Sequence, residues 1–125
     1  MKTILDIGNC NADHSFLNSM LQKNFAGTQL LRAHRLDDAL SALQENEVDL
    51  ILINRLLDVD GSEGMQILQH LKADSELQQT PVMLITNFDE HQQTAIQAGA
   101  VQGFGKSGLL SEETRQAIAA ALGEG

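Results

Sequence analysis

Short apolar runs alternate with longer segments of helical periodicity along nearly the whole chain. Runs rich in Ile, Leu and Val predict strands, whereas apolar residues that recur every three or four positions predict helices. The predicted strands are residues 3–7, 29–33, 49–53, 82–86 and 101–105, and the predicted helices are residues 12–25, 36–45, a segment carrying Met65, Ile67, Leu68 and Leu71, residues 89–98 and residues 111–122. Such alternation is typical of βα units wound into one parallel sheet.

The five predicted strands differ in quality. The run at residues 49–53 is nearly all apolar, as expected of a central strand that is buried on both faces. The run VQGFG at residues 101–105 is the poorest, because its two glycines weaken a strand and suit a sheet edge. With right-handed crossovers, the helices cover both faces of the sheet. The sequence therefore predicts a single three-layer, doubly wound α/β domain over residues 1–125.

The candidate chemistry lies at the carboxyl ends of the predicted strands, where open parallel sheets place ligands and catalysis. Four loops meet this condition, and they hold residues 8–11, 54–58, 86–88 and 106–107. Asn54 follows the buried third strand and brings a neutral amide to this edge. We therefore take these four loops as the candidate functional site.

Composition narrows the range of partners. The net charge is −9, and the eight basic residues are scattered singly, so no basic stripe predicts direct nucleic-acid binding. The single cysteine excludes an internal disulfide, and the amino-terminal residues lack the pattern of a signal peptide. No apolar run approaches the roughly 18 to 20 residues of a membrane helix. These features predict a cytoplasmic protein without a membrane segment.

Asp6 stands inside the first predicted strand, where a buried carboxylate is costly unless it is paired. Lys2 and Arg32 on neighbouring strands are its candidate partners. The histidines show no metal-binding spacing and are predicted to lie at the surface; they are His14, His34, His70 and His91.

At the four loops the chain resembles the response-regulator receiver family, the phosphate-accepting domains of two-component signalling. The segments that carry the resemblance are DLILINRLL for the third strand, LIT at 84–86 for the fourth, AGAVQGFGK for the fifth and LDDALSALQENEVD for the second helix. The resemblance implies a flavodoxin-like, five-stranded parallel sheet in the order 2-1-3-4-5. It also implies a role in signalling without enzymatic activity.

A working receiver uses an acidic pair to hold Mg²⁺, an aspartate nucleophile, a hydroxyl and a lysine. The resemblance places Gly8 and Asn9 at the acidic pair and Asn54 at the nucleophile, while Thr86 and Lys106 match the hydroxyl and the lysine. An amide is a poor nucleophile, and Gly8 has no side chain to ligate a metal. We therefore expect no catalytic residue, no cofactor, lost or weak Mg²⁺ binding and no phosphorylation of Asn54. Lys106 is expected either to bond the Asn54 amide or to lie in solvent.

The leading hypothesis is a pseudo-receiver, which is a protein interaction module that works without phosphorylation. By the resemblance, its contact face comprises residues 90–98, 101–104 and 111–122, with Val101, Gly103 and Phe104 on the edge segment. Gly103 replaces the aromatic residue that rotates in active receivers, unless Phe104 takes that place. The implied partner is a signalling protein, an output domain or a second copy of the chain.

Three other functions stay open from the sequence. A phospho-accepting receiver would use the acids of the 58–63 loop, which are Asp58, Asp60 and Glu63. A redox or small-molecule sensor would use Cys10 and the pocket vacated by the lost carboxylates. A flavin-binding flavodoxin shares the fold, but the loop GNCNAD lacks the Ser/Thr-rich phosphate cradle that flavin binding needs.

Overall fold

The structure is a computed structural model that describes residues 2–123. The strands are β1 (Thr3–Ile7), β2 (Gln29–Ala33), β3 (Leu50–Asn54) and β4 (Val82–Ile85). The helices are α1 (Asn11–Asn24), α2 (Leu36–Glu45), α3 (Gly64–Ala73), α4 (Asp89–Gln97) and α5 (Glu112–Ala121), and a 3₁₀ turn at Lys106–Gly108 precedes α5. Over these residues no helix is both long enough and apolar enough to span a membrane.

The strands form one parallel sheet in the order β2-β1-β3-β4. The register pairs Ile7 of β1 with Ile53 of β3, and Asn54 with Ile85 of β4. The carboxyl ends of β1, β3 and β4 consequently lie side by side. This register brings the loop after Ile7 next to Asn54.

Both faces of the sheet are buried, because successive side chains of each strand point to opposite sides. One apolar cluster contains Leu5 and Ile51 and packs against α2, α3 and α4. The other contains Ile4 and Leu52 and packs against α1 and α5. The prediction of an α/β fold with a parallel sheet is confirmed, and the two-sided burial explains why the central strand β3 is almost entirely apolar.

The prediction of five strands in the order 2-1-3-4-5 is wrong, because the described residues form a sheet of four strands. The segment 101–105 lies beside β4, but only an isolated bridge between Ile85 and Phe104 joins them as strands. Two backbone bonds mark the ends of the contact. Val101 N donates to Val82 O over 2.9 Å, and Thr86 N donates to Phe104 O over 3.0 Å.

A glutamine side chain replaces the missing part of this ladder. The Gln92 amide of α4 is buried between β4 and the segment 101–105. Its Nε2 donates to Leu84 O over 2.9 Å, and its Oε1 accepts from Gly103 N over 3.0 Å. A Cβ atom on Gly103 would lie 2.3 Å from Leu84 O, so glycine is needed where the backbones approach. Between its two direct backbone bonds to the sheet, the segment is therefore held by the Gln92 side chain of α4.

The Gln92→Ala variant tests this attachment. Truncation leaves Leu84 O and Gly103 N buried without partners, so we expect the free energy of unfolding to fall by about 3 kcal/mol in urea denaturation. Gln93→Ala is the matched control, because Gln93 is exposed on the same helix and should change stability by less than about 0.5 kcal/mol. Equal losses in the two variants would contradict the structural role of the Gln92 amide.

Candidate functional site

Asn54 ends β3 at the carboxyl edge of the sheet, where its side-chain amide links two loops. Its Nδ2 donates to Leu56 O over 2.8 Å and to Gly8 O over 3.3 Å. The group between these two carbonyl oxygens is thus a neutral donor. A carboxylate oxygen in the same place would face two acceptors without a proton or a cation to pair them.

Gly8, which the resemblance aligns with the first residue of the acidic pair, lies where packing leaves no room for a side chain. Gly8 has a φ of +83°, a left-handed conformation that side-chain-bearing residues rarely adopt. A Cβ atom on Gly8 would lie 2.5 Å from Leu57 Cδ2, and Leu57 is itself buried. An aspartate at position 8 therefore needs both a strained backbone and a displaced Leu57.

Asn9, which the resemblance aligns with the second residue of the acidic pair, is buried in a polar network around Asp6. Asn9 Nδ2 donates to Asp6 Oδ1 over 2.6 Å, and His14 Nδ1 lies 2.7 Å from Asp6 Oδ2. Burial raises the pKa of Asp6 above its ordinary value of 3.8, although the hydrogen bonds from His14 and Asn9 and the charge of Arg32 oppose this rise. Of the two partners predicted for Asp6, Arg32 contributes its charge, whereas Lys2 does not contribute to the pKa of this carboxyl group.

The direct partner that sequence reasoning missed is His14, which was predicted to be a surface residue. His14 lies one turn into α1, on the side that faces the end of β1. Once the layers of the fold are known, this position identifies His14 as a partner of Asp6. Its side chain is 21% exposed, and that of Asp6 is fully buried.

Arg32 supplies a fixed positive charge beside positions 8 and 9. Its Nη1 donates to Asn11 Oδ1 over 2.6 Å and its Nη2 donates to Asn9 O over 3.0 Å. The same Nη2 lies 4.0 Å from the Asp58 carboxylate. A guanidinium group in this position disfavours a second cation nearby.

The acids of the 58–63 loop are engaged by different partners. Asp58 faces Arg32 and His34, Asp60 accepts from Ser62 N and Oγ, and Glu63 lies 3.9 Å from Arg55 Nη1. Among the residues that the structure describes, no three His, Cys, Asp or Glu side chains come near enough together to hold one metal ion. The three acids are thus engaged by separate partners in the structure.

Thr86 and Lys106 line one cavity of about 210 Å³ together with Asn54, so the structure brings the three residues together. Neither polar group bonds the amide. Thr86 Oγ1 accepts from Phe88 N over 3.3 Å, and Lys106 Nζ donates to Asp13 Oδ2 over 2.6 Å. The bond from Lys106 lowers the pKa of the Asp13 carboxyl. Of the two environments expected for Lys106, the bond to the Asn54 amide is absent from the structure. The side chain is instead 43% exposed, and it pairs with Asp13 of α1.

The edge segment differs from the expected contact face. Val101 is exposed, whereas Gly103 and Phe104 are buried and are therefore not available to a partner directly. The Phe104 ring packs in the α1/α5 cluster next to Ile85 and Ile118. Cys10 is exposed before α1, with its Sγ 3.4 Å from Asp13 Oδ2.

The residues at this edge do not fit Mg²⁺, which prefers six oxygen ligands including carboxylates. Position 8 offers no side chain, and the Asn9 amide donates to Asp6. Asn54 Nδ2 already bonds the two nearby carbonyl oxygens. No chemistry that depends on a metal follows from this donor set.

The Asn54→Asp variant tests whether a donor is required between the two carbonyl groups. The carboxylate loses both bonds and meets acceptors, so we expect a loss of about 2 kcal/mol in the free energy of unfolding at neutral pH. The loss should shrink in acid as the carboxyl group becomes protonated. Asn46→Asp is the control, because the Asn46 amide also donates to a backbone carbonyl but is exposed. An Asn54→Asp protein as stable as the wild type would contradict the requirement.

The buried Asp6 carboxyl predicts a dependence of stability on pH. Because its pKa is raised in the folded protein, its contribution to stability is largest below the unfolded-state pKa near 3.8 and is lost as the pH rises through the folded-state pKa. Asn in place of Asp6 does not ionise. The stability of Asp6→Asn relative to wild type should therefore increase from about pH 4 upward and then level off.

Urea denaturation of both proteins at several pH values measures this difference. Asp89→Asn, which removes an exposed carboxylate, is the control. A difference between Asp6→Asn and wild type that stays constant over the whole pH range would refute the prediction.

Solved structures share this architecture. The signal receiver domain of the DNA-binding response regulator merR from Colwellia psychrerythraea 34H aligns with a TM-score of 0.84 and 20% identity, covering 98% of this chain and 99% of that one. The receiver domain of NtrX from Brucella abortus aligns with a TM-score of 0.75 and 21% identity, covering 98% of this chain and 99% of that one. The beryllofluoride-activated NtrC4 receiver domain dimer aligns with a TM-score of 0.78 and 23% identity, covering 99% of this chain and 98% of that one. At such low identity, these likenesses show the fold.

Among curated proteins, no sequence matches this chain. The family comparison is informative, because residues 12–118 match the response regulator receiver domain. Receiver domains act in signal transduction, generally as non-enzymatic modules that contact signalling partners or output domains. Since the match spans well over half of the sequence, the chain belongs to the response regulator receiver domain family.

Proposed function

We propose that this protein is a pseudo-receiver, a protein interaction module of signal transduction that works without phosphorylation. The observation that carries the proposal is the Asn54 amide, whose Nδ2 bonds Gly8 O and Leu56 O at the phospho-acceptor position. An amide does not form an acyl phosphate, and the donor occupies the space between the oxygens. Magnesium binding at this edge is lost or weak in this proposal, because position 8 is closed and Arg32 supplies the local positive charge.

Hydrogen bonds that tie the loops at this edge together support the proposal. Phosphorylation switches act by shifting an equilibrium between two conformations. Here the loop after β4 is tied to the loop before α5, because Asn87 Oδ1 accepts from Ser107 N over 3.1 Å and from Ser107 Oγ over 2.9 Å. Gln92 of α4 joins the segments that lead into these two loops, which are β4 and residues 101–105. These bonds hold the region that would move in a two-state receiver.

The proposed contact face is formed by α4, the segment 101–104 and α5. Val101 and Phe88 are exposed apolar residues on this side. The first turns of both helices expose acidic residues, which are Asp89, Glu90, Glu112 and Glu113. A partner with a basic rim around a small apolar contact fits this face. A second copy of the chain is the less favoured occupant, because two such acidic faces repel.

Incubation with acetyl phosphate and Mg²⁺, followed by intact-mass measurement, tests the proposal. We expect no added phosphoryl mass on the wild-type chain, and we expect added Mg²⁺ to leave its unfolding midpoint in urea unchanged. The NtrC4 receiver domain, which was solved in a beryllofluoride-activated form, is the control for the activity of the reagents.

A phosphoryl group on most molecules of the wild-type chain would overturn the proposal. Peptide mapping of that group to Asp58, Asp60 or Glu63 would then favour the phospho-accepting alternative. The Asn54→Asp variant is expected to stay largely unmodified under the same conditions, because positions 8 and 9 still lack carboxylates.

A further inference from the structure

The cavity beside Asn54 is lined by an accessible guanidinium group, that of Arg55, which directly follows β3. The Arg55 side chain is 28% exposed, and its only ionic neighbour among residues 2–123 is Glu63. Their closest atoms are 3.9 Å apart, which is beyond hydrogen-bond distance. A guanidinium group has five N–H donors and stays charged at every ordinary pH. Arg55 can therefore bind an incoming acceptor without giving up a hydrogen bond inside the protein.

The charge around this cavity is positive, although the chain carries 17 acidic and 8 basic residues. Arg55 and Lys106 both line the cavity, and within the described residues no Asp or Glu lines it. The charge of Lys106 is matched by Asp13 over 2.6 Å. Arg55 is thus the cation left for a ligand. A planar carboxylate suits it best, because its two oxygens accept two parallel N–H bonds from one guanidinium group.

Apolar side chains flank the same cavity. Leu56 and Phe88 line it and are 39% and 56% exposed. The Phe88 ring meets the His91 ring edge to face, with centroids 5.4 Å apart. The cavity volume is about 210 Å³, smaller than the roughly 300 Å³ at which drug-sized sites begin. This space suits one ring or one short branched chain.

We propose that this cavity binds a small monocarboxylate that carries a single apolar ring or branched group, with its carboxylate on the Arg55 guanidinium and its apolar part against Phe88 and Leu56. The inference does not depend on the pseudo-receiver function, because noncovalent binding of a carboxylate neither forms nor requires an acyl phosphate. Phe88 is also an exposed residue of the proposed contact face. A bound ligand would therefore cover part of that face.

Three probes separate the charge from the apolar contact. Benzoate and benzamide share a ring and differ in charge, whereas acetate keeps the carboxylate and lacks the ring. Each is titrated at constant ionic strength into the wild-type protein, and amide chemical shifts report both affinity and position. We expect benzoate to bind about tenfold more tightly than benzamide and about fivefold more tightly than acetate. The largest shift changes are expected at Arg55, Asn87 and Phe88.

The Arg55→Gln variant tests the guanidinium group directly. Its unfolding midpoint in urea should match that of the wild type, because the exposed Arg55–Glu63 pair contributes little to stability. Its affinity for benzoate should fall about tenfold, while its affinity for benzamide stays the same. Lys23→Gln is the control, because it removes the same charge from an exposed position on α1 and should leave benzoate binding unchanged.

Equal affinities for benzoate and benzamide would overturn the proposal, and so would an Arg55→Gln protein that binds benzoate as well as the wild type does. Acetate that binds as tightly as benzoate would reject the apolar contact with Phe88 and Leu56. Shift changes centred on α2 or α3, or no saturable shift at tens of millimolar benzoate, would reject this cavity as the site. The acetyl phosphate experiment measures phosphorylation separately, so failure here leaves the pseudo-receiver proposal to its own test.

Discussion

Polar groups at the carboxyl edge of a sheet that is buried on both faces must find partners inside the protein, and the rest of this structure depends on how they do so. In this chain two side-chain amides are among these partners. Asn54 donates to the carbonyl groups of Gly8 and Leu56, and Gln92 spans Leu84 and Gly103. Each amide joins segments far apart in sequence. Because an amide is neutral, these links require neither a metal ion nor a phosphoryl group.

The proposed pseudo-receiver function rests on two such regions of the sheet. At positions 8, 9 and 54 the chain carries no carboxylate, Leu57 packs against Gly8, and Arg32 places its positive charge beside Asn9. At the other end, Gln92 takes the place of a regular fifth strand. Both regions are held by packing and by hydrogen bonds of neutral amides. Under the proposed function, a receiver held in this way presents one surface constantly.

Much of the fold was predictable from the sequence, because it rests on local patterns. The four strands β1 to β4 and the five helices follow from apolar runs and helical periodicity, and the two glycines of VQGFG correctly marked the weakest strand. The absence of a regular fifth strand was not predictable. It depends on Gln92, a polar residue that looks like a surface position in the sequence and reaches β4 only once α4 has packed.

The sequence by itself determined which chemical groups stand at the carboxyl edge, since the order of strands and loops assigns Gly8, Asn9, Asn54, Thr86 and Lys106 to it. The tertiary structure alone decided their partners. Lys106 meets Asp13 across 93 positions of the chain, and Asp6 meets His14 where β1 and α1 approach. The physical reason is that hydrogen bonds and ion pairs extend only about 3 Å, so they are set by how the layers pack, whereas strand order is set by hydrophobic patterns along the chain.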